Sequence, residues 1–218
     1  MTNILTETRD NVRVIRLDRP EKRNALTGPM IEALLRALEA AAAEEGIAAI
    51  LLAGNGAGFC AGADLAEMKA LRDDPEWMAA RRALSARLLE APGRIGKPVA
   101  AAVHGKALGA GAALALACDA TVLAEEATLG FPEARHGILP ALMAPALLRH
   151  LPPRRALELL ATGRDIPPGE ALALGLATSV VPAASLEAAA LAAARGMALL
   201  PPGDLLRLKR LCRGEDGA

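Results

Sequence analysis

Tyrosine is absent from this chain of 218 residues, which contains only two phenylalanines and one tryptophan. A core of normal density must therefore be packed mainly by Ala, Leu, Val and Ile side chains. The length suits one domain with a sizeable core and is too short for two full domains.

Cysteine is also scarce. The three cysteines are odd in number, widely spaced and without a C-x-x-C pair, which argues against a disulfide framework and against a structural zinc site. The three histidines likewise lack the spacing of zinc ligands. We expect reduced thiols and no bound metal.

No charge of either sign dominates, because 25 Lys and Arg residues balance 25 Asp and Glu residues. This balance argues against a broad basic surface for nucleic acid. No apolar run reaches the length of about 20 residues that a membrane-spanning helix needs. The first ten residues have neither the basic start nor the apolar centre of a secretory signal. We therefore expect a cytoplasmic protein with no nucleic-acid partner and no membrane attachment.

Several common catalytic motifs are missing. The chain has no G-x-S-x-G sequence, so a serine hydrolase with a nucleophile elbow is not expected. Gly105-Lys106 lacks the spacing and the Ser or Thr of a phosphate-binding loop, and residues 109–113 lack the third glycine of a dinucleotide-binding loop.

The hydrophobic pattern alternates between strands and helices, which predicts an α/β fold with largely parallel strand pairing. Strands are predicted at 4–8, 12–17, 47–53, 98–103, 121–124, 127–130 and 178–181. Helices are predicted at 29–45, 65–71, 75–90, 141–150, 154–162, 168–174, 185–200 and 202–211. A further helix is predicted from the glycines near residue 109 to about residue 117.

Two segments of small residues, 59–65 and 104–111, each follow a predicted strand and lead into a predicted helix. Each therefore places free backbone N–H groups at a helix N-terminus. Two such donors aimed at one carbonyl oxygen would form an oxyanion hole. The alternative is that the small residues only allow a strand and a helix to pack closely.

Glu133 is the best candidate for proton transfer, because it lies among apolar neighbours that would raise the pKa of a carboxyl group. Its alternative role is that of an ordinary carboxylate at a helix N-terminus. Asp64 has the same ambiguity, since it either contacts substrate or caps the following helix. Cys60 lies in the first small-residue segment and is expected to be a small buried apolar residue.

Four segments, 19–26, 59–65, 103–111 and 129–140, resemble in order the signature segments of the crotonase superfamily, also called the enoyl-CoA hydratase/isomerase family. The resemblance spans residues 4–182. It implies a crotonase-like spiral of repeated ββα units over 1–184 and a shortened helical C-terminal region over 185–218. It also implies a homotrimer or a hexamer.

The resemblance further implies an acyl-CoA thioester as substrate, with coenzyme A as part of that substrate and no other cofactor. The N–H groups of Ala63 and Ala110 would hold the thioester oxygen and stabilise an enolate. Glu133 would transfer the proton. The residues expected to contact the substrate are Lys22, Arg23, Ala25, Ala61, Asp64, Leu65 and Gly109.

One departure from the family pattern bears on the reaction. Hydratases of the family carry a first glutamate where this chain has Ala113, and a second that matches Glu133. Adding water suits two acid–base groups, whereas moving a double bond needs one. The sequence therefore predicts Δ3,Δ2-enoyl-CoA isomerisation. Hydration of a 2-enoyl-CoA and a non-catalytic CoA-binding role are the alternatives.

Overall fold

The computed structural model describes residues 3–71 and 73–215. Within them the chain forms two β-sheets. The first has six strands in the order β1 (Ile4–Arg9), β2 (Val12–Leu17), β3 (Ala49–Gly54), β4 (Val99–Val103), β6 (Ala120–Ala124) and β9 (Ser179–Val181). The second has three, in the order β5 (Lys106–Leu108), β7 (Thr128–Gly130) and β8 (Asp165–Ile166).

Helices connect and cover these strands. They are α1 (Gly28–Ala43), α2 (Leu65–Ala70), α3 (Pro75–Arg94), α4 (Ala110–Ala117), α5 (Ala144–Leu148), α6 (Pro153–Thr162), α7 (Pro168–Ala173), α8 (Leu186–Gly196) and α9 (Pro202–Cys212). Short 3₁₀ helices occur at Pro20–Lys22, Pro132–His136 and Ala183–Ser185. No helix within the described residues is both long enough and apolar enough to cross a lipid bilayer.

The six-stranded sheet is parallel apart from the β1–β2 hairpin. Every residue of β3, β4 and β6 is buried, which suits parallel strands covered on both faces. Helix α8 packs against these three strands through apolar residues such as Leu186 and Ala190. Helix α8 belongs to the predicted C-terminal region, 185–218, and packs on strands of the predicted core, 1–184. The division of the chain at residue 184 stays a prediction.

The predicted alternation of strands and helices is confirmed, but several details differ: for example, α3 runs through Arg94 rather than ending at 90, and α8 ends at Gly196 rather than at 200. Strands β5 and β8 were not predicted, because runs of three and two residues are too short to show a period of two. The helix predicted at 141–150 is only α5. Pro145 lies in its first turn, and a proline deeper in a helix would remove a backbone hydrogen bond.

A buried ion pair connects α9 to Asp119, the residue before β6. Lys209 Nζ lies 2.6 Å from Asp119 Oδ2 and donates to the carbonyl oxygens of Pro92, Ile95 and Lys97 at 2.8–3.1 Å. Burial lowers the pKa of Lys209 and raises that of Asp119, so desolvation outweighs the attraction between the two charges. Such a pair adds little by itself, but removing one partner leaves a buried charge uncompensated.

We expect Lys209→Met to lower the free energy of unfolding by about 3–5 kcal/mol, because it leaves the largely buried Asp119 carboxylate without its ionic partner. Lys106→Met is the control, since it breaks an exposed pair with Asp165 and should change the same quantity by about 0.5 kcal/mol or less. Urea unfolding of both variants measures the difference. Equal losses would contradict the prediction.

Candidate active site

The two small-residue segments lie side by side. Cys60 and Ala107 form a parallel bridge, in which the Cys60 N–H donates to Lys106 O at 3.2 Å and the Leu108 N–H donates to Cys60 O at 2.9 Å. A Cβ atom at Gly62 would lie 2.7 Å from Leu108 O and 3.5 Å from Ala110 N. Only glycine permits this approach, which brings the residue before Ala63 next to the start of α4.

The backbone of Ala63 is oriented by Leu26. The Leu26 N–H donates to Gly62 O at 2.7 Å, and Leu26 O accepts the N–H of Asp64 at 3.0 Å. In such a parallel bridge, the residue between the two that bond to Leu26 directs its own N–H away from Leu26. The Ala63 N–H therefore points away from Leu26.

The N–H of Ala110 begins helix α4, where no acceptor exists one turn earlier in the helix. Within residues 3–71 and 73–215, the structure gives neither Ala63 N–H nor Ala110 N–H a hydrogen-bond acceptor. Both residues are partly exposed. The two loops thus present two free donors near each other, which is the chemical requirement of an oxyanion hole.

The carboxylate of Glu133 lies against the residue that precedes Ala110. A Cβ at Gly109 would be 2.5 Å from Glu133 Oε1 and 3.5 Å from Cδ. Gly109 also has φ +50° and ψ −120°, a backbone conformation that favours glycine. Helix Pro132–His136 therefore places a carboxylate beside the second N–H donor.

The environment of Glu133 suits proton transfer. Its Oε2 atom is buried and has no hydrogen-bond partner among the described residues. Burial raises the pKa of this carboxyl group, and this effect outweighs the opposing influence of its own backbone N–H and of His136. A raised pKa brings a glutamate closer to the pH at which it can both accept and return a proton.

The Asp64 side chain makes its hydrogen bonds to other residues of the protein. Its Oδ1 accepts the N–H groups of Ala66 and Glu67, both at 2.9 Å, and its Oδ2 pairs with Arg19. These contacts, led by the Arg19 hydrogen bond, hold the pKa of Asp64 below its usual value. The structure thus shows the helix-capping role that the sequence left open, and a contact of this side chain with substrate stays a prediction.

Cys60 has no nucleophilic character. Its side chain is fully buried and lies 3.2 Å from Asn24 O. Burial raises the pKa of this thiol to about 12, so it stays protonated at neutral pH. The expectation of a small buried residue is confirmed.

The loop at 19–26 runs beside the first donor segment, because the Ala61 N–H donates to Arg23 O at 2.9 Å. Lys22 and Arg23 are exposed, and the structure gives neither an ionic partner within the described residues. The loop is shaped by Asn24, which the sequence analysis did not identify. Its buried amide donates to three carbonyl oxygens, those of residues 55, 58 and 59, at 2.9–3.1 Å.

The structure therefore brings most of the predicted site residues into one region. Ala61, Ala63, Gly109, Ala110 and Glu133 meet at the two paired loops, with Lys22, Arg23 and Ala25 on the neighbouring loop. Leu65 begins α2 and is exposed. Direct contact of each with a substrate stays a prediction.

A cavity of about 160 Å³ lies between α3, α4 and α5, and Ala113 forms part of its wall. Ala113 follows Ala110 by three residues, so both lie on one face of α4. The rest of its wall is mainly apolar, with Ala86, Leu89 and Leu142, but Glu90, which is ion-paired with Arg94, and Arg149 also line it. None of the predicted site residues lines this cavity, and none lines a larger cavity of about 610 Å³ beside Lys209.

Comparison with known proteins gives consistent results. A family model described as enoyl-CoA hydratase/isomerase matches residues 7–213. A putative enoyl-CoA hydratase from Thermus thermophilus is 39% identical over 202 residues, which cover 92% of this chain and 80% of that protein. The 2,3-dehydroadipyl-CoA hydratase of Escherichia coli is 36% identical over 214 residues, covering 98% and 82%.

Solved structures agree with this result. The crystal structure of an enoyl-CoA hydratase from Polaromonas sp. JS666 superimposes with a TM-score of 0.92 at 33% identity, covering 99% of this chain and 84% of that one. This similarity confirms the predicted α/β fold class.

We expect Gly109→Ala to abolish most of the activity of this site, because the added methyl group would displace the Glu133 carboxylate and strain the backbone. Gly175→Ala is the matched control, since Gly175 also has a positive φ but a Cβ there meets nothing within 4 Å. Turnover and thermal melting of both variants are measured. Loss of turnover in both, in proportion to stability, would contradict the proposed contact.

Glu133→Gln should raise the melting temperature at pH 7. A carboxyl group whose pKa is raised on folding stabilises the protein below its unfolded pKa, about 4.3, and loses that contribution as the pH rises through its folded pKa. Glutamine removes the cost of burying the charge. The gain should vanish at about pH 4, with the exposed Glu126→Gln as the control for net charge. A gain that is independent of pH would contradict this assignment.

Proposed function

Since this chain belongs to the enoyl-CoA hydratase/isomerase family, we propose that it converts a 3-enoyl-CoA to the conjugated 2-enoyl-CoA, with Glu133 as the proton-transferring base. The observation that carries this proposal is the position of Glu133. One oxygen of its carboxylate, Oε1, lies against Gly109, next to the free N–H of Ala110, and the other, Oε2, is buried without a hydrogen-bond partner among the described residues.

The thioester oxygen would accept hydrogen bonds from Ala63 N–H and Ala110 N–H. Negative charge grows on this oxygen when a proton leaves the α-carbon, so donors fixed in advance stabilise the transition state more than the substrate. The start of α4 adds the positive end of the helix dipole at the same place. No donor has to be reoriented during the reaction.

Glu133 would then carry one proton between two carbons. Its carboxylate takes a proton from C2 of the 3-enoyl thioester, and the electron pair of that C–H bond spreads through C3 and C4 and onto the thioester oxygen. The carboxylic acid returns the proton to C4, which leaves the double bond between C2 and C3. The substrate gains and loses no atoms, and Glu133 ends in its starting state.

The packing around Ala113 favours isomerisation over hydration. Ala113 is fully buried and contributes only a methyl group to the cavity wall. No carboxylate from this position is available to activate water, whereas Glu133 is sufficient for a transfer between C2 and C4.

Hydration of a 2-enoyl-CoA is the second candidate, because the relatives described above are named hydratases. In that case Glu133 would have to serve both for water and for the α-carbon. A non-catalytic CoA-binding role is a third proposal, which the retained Glu133 opposes.

The remaining substrate contacts belong to the same proposal. The cations Lys22 and Arg23 would face the phosphates of coenzyme A, and the mainly apolar cavity beside Ala113 would receive the acyl chain. A cytoplasmic location, a homotrimer or hexamer, and the lack of a further cofactor also remain proposals.

The reaction is tested by mixing the protein separately with a 3-enoyl-CoA and a 2-enoyl-CoA and recording ultraviolet absorbance of the conjugated thioester. We expect absorbance to appear from the 3-enoyl substrate. Glu133→Gln should lower kcat/KM by about 10²–10⁴-fold, the usual contribution of a general acid or base, while the exposed Glu126→Gln leaves it unchanged. Full turnover by Glu133→Gln would refute the role of this residue.

Ala113→Glu should raise the rate of hydration relative to isomerisation by roughly 10²-fold, because it adds a second acid–base group beside the substrate. Ala113→Gln is the matched control, having similar size and no carboxylate. Both rates are measured from the same absorbance with the two substrates. If the unmodified protein already hydrates faster than it isomerises, the reaction assigned here is wrong.

A further inference from the structure

Arg81 is a buried cation on α3 that the proposed chemistry does not use. Its side chain donates to Leu26 O through Nη2 at 2.7 Å, to Glu67 Oε2 through Nε at 3.2 Å, and to Ser85 through Nη1. Only 5% of the residue is exposed. Burying a guanidinium is costly, and an apolar residue at such a position often gives equal or greater stability.

The contact with Leu26 leads directly to the first oxyanion donor. Leu26 O accepts the N–H of Asp64 as well as the guanidinium, and the Leu26 N–H donates to Gly62 O. Leu26 therefore holds the residues on both sides of Ala63. Arg81 is one hydrogen bond away from the pairing that sets the direction of the Ala63 N–H.

The second contact supports the same segment from the other side. Glu67, the ionic partner of Arg81, accepts the N–H of Gly28 at 2.9 Å, while its own N–H donates to Asp64 at 2.9 Å. Arg81 thus connects the starts of α1 and α2 with the loop that contains Ala63. The planar guanidinium can reach these partners at once, which a lysine cannot do.

We propose that Arg81 is a positioning residue for the oxyanion hole, holding Leu26 so that the Ala63 N–H stays aimed at the thioester oxygen. This inference depends on the proposed use of Ala63 and Ala110 as donors. Because the oxygen gains negative charge during the reaction, misdirecting one donor reduces stabilisation of the transition state more than it reduces affinity for the substrate.

The experiment compares Arg81→Met and Arg81→Lys with two controls. Arg82→Met removes the neighbouring exposed cation, and Ser85→Ala removes the third partner of Arg81 without touching Leu26. Butanoyl-CoA labelled with ¹³C at the thioester carbonyl is bound to each protein, and infrared difference spectra record the C=O stretching frequency. The same proteins are assayed for kcat and KM and melted to compare stability.

In the unmodified protein the C=O frequency of the bound probe should fall below its value in water. We expect Arg81→Met to lose much of this downshift and to lower kcat by about 10–100-fold, with KM little changed, in line with a misplaced catalytic group. Arg81→Lys should give an intermediate downshift. Both controls should keep the full downshift.

A downshift equal to that of the unmodified protein in every folded Arg81 variant would overturn the proposal and leave Arg81 a purely structural residue. Failure of the proposed oxyanion-hole function would give a different result, seen in the unmodified protein. If the unmodified protein binds the probe without any downshift, the oxyanion hole itself has been assigned wrongly.

Discussion

The site depends on keeping two backbone N–H groups free within a packed protein. An unpaired buried N–H is costly, so most folded segments satisfy their donors. Here the bridge between Leu26 and Ala63 turns one N–H outward, and the start of α4 leaves the other without an acceptor. Neither donor is itself a flexible side chain. The direction of each N–H is set by the backbone hydrogen bonds of the loop or helix that contains it.

These two donors are brought together by pairing between loops. Cys60 and Ala107 extend the strand-like contacts of β5 to the first segment, and the missing side chain of Gly62 allows the start of α4 to approach. The same arrangement places Glu133 against Gly109. The proposed oxyanion donors and the carboxylate are therefore held by the same contacts between segments, so the relative position of the three groups follows from the fold.

Local patterns in the sequence were sufficient to predict the α/β fold class, and they selected the two small-residue segments and Glu133, which the structure brings together. The small residues and the acid stand in short segments whose composition is unusual by itself. The support around them could not be predicted in this way. Arg81 reaches Leu26 across 55 positions of sequence, and nothing near Arg81 distinguishes it from the exposed Arg82. Asp64 was ambiguous because a helix cap and a substrate contact use the same residue type.

The choice between isomerisation and hydration rests on a different feature from the oxyanion hole. Both reactions pass through an enolate, so the donors at Ala63 and Ala110 would serve either one. What distinguishes them is the number of carboxylates that reach the substrate. On α4 the position three residues after Ala110 is a buried methyl group, and the acid in the wall of the adjacent cavity, Glu90, is ion-paired with Arg94. Under the proposal that Glu133 is its acid–base group, the site would suit movement of one proton along the acyl chain better than activation of water. Reaction specificity would then be set by the packing of one helix face, while the oxyanion hole remains unchanged.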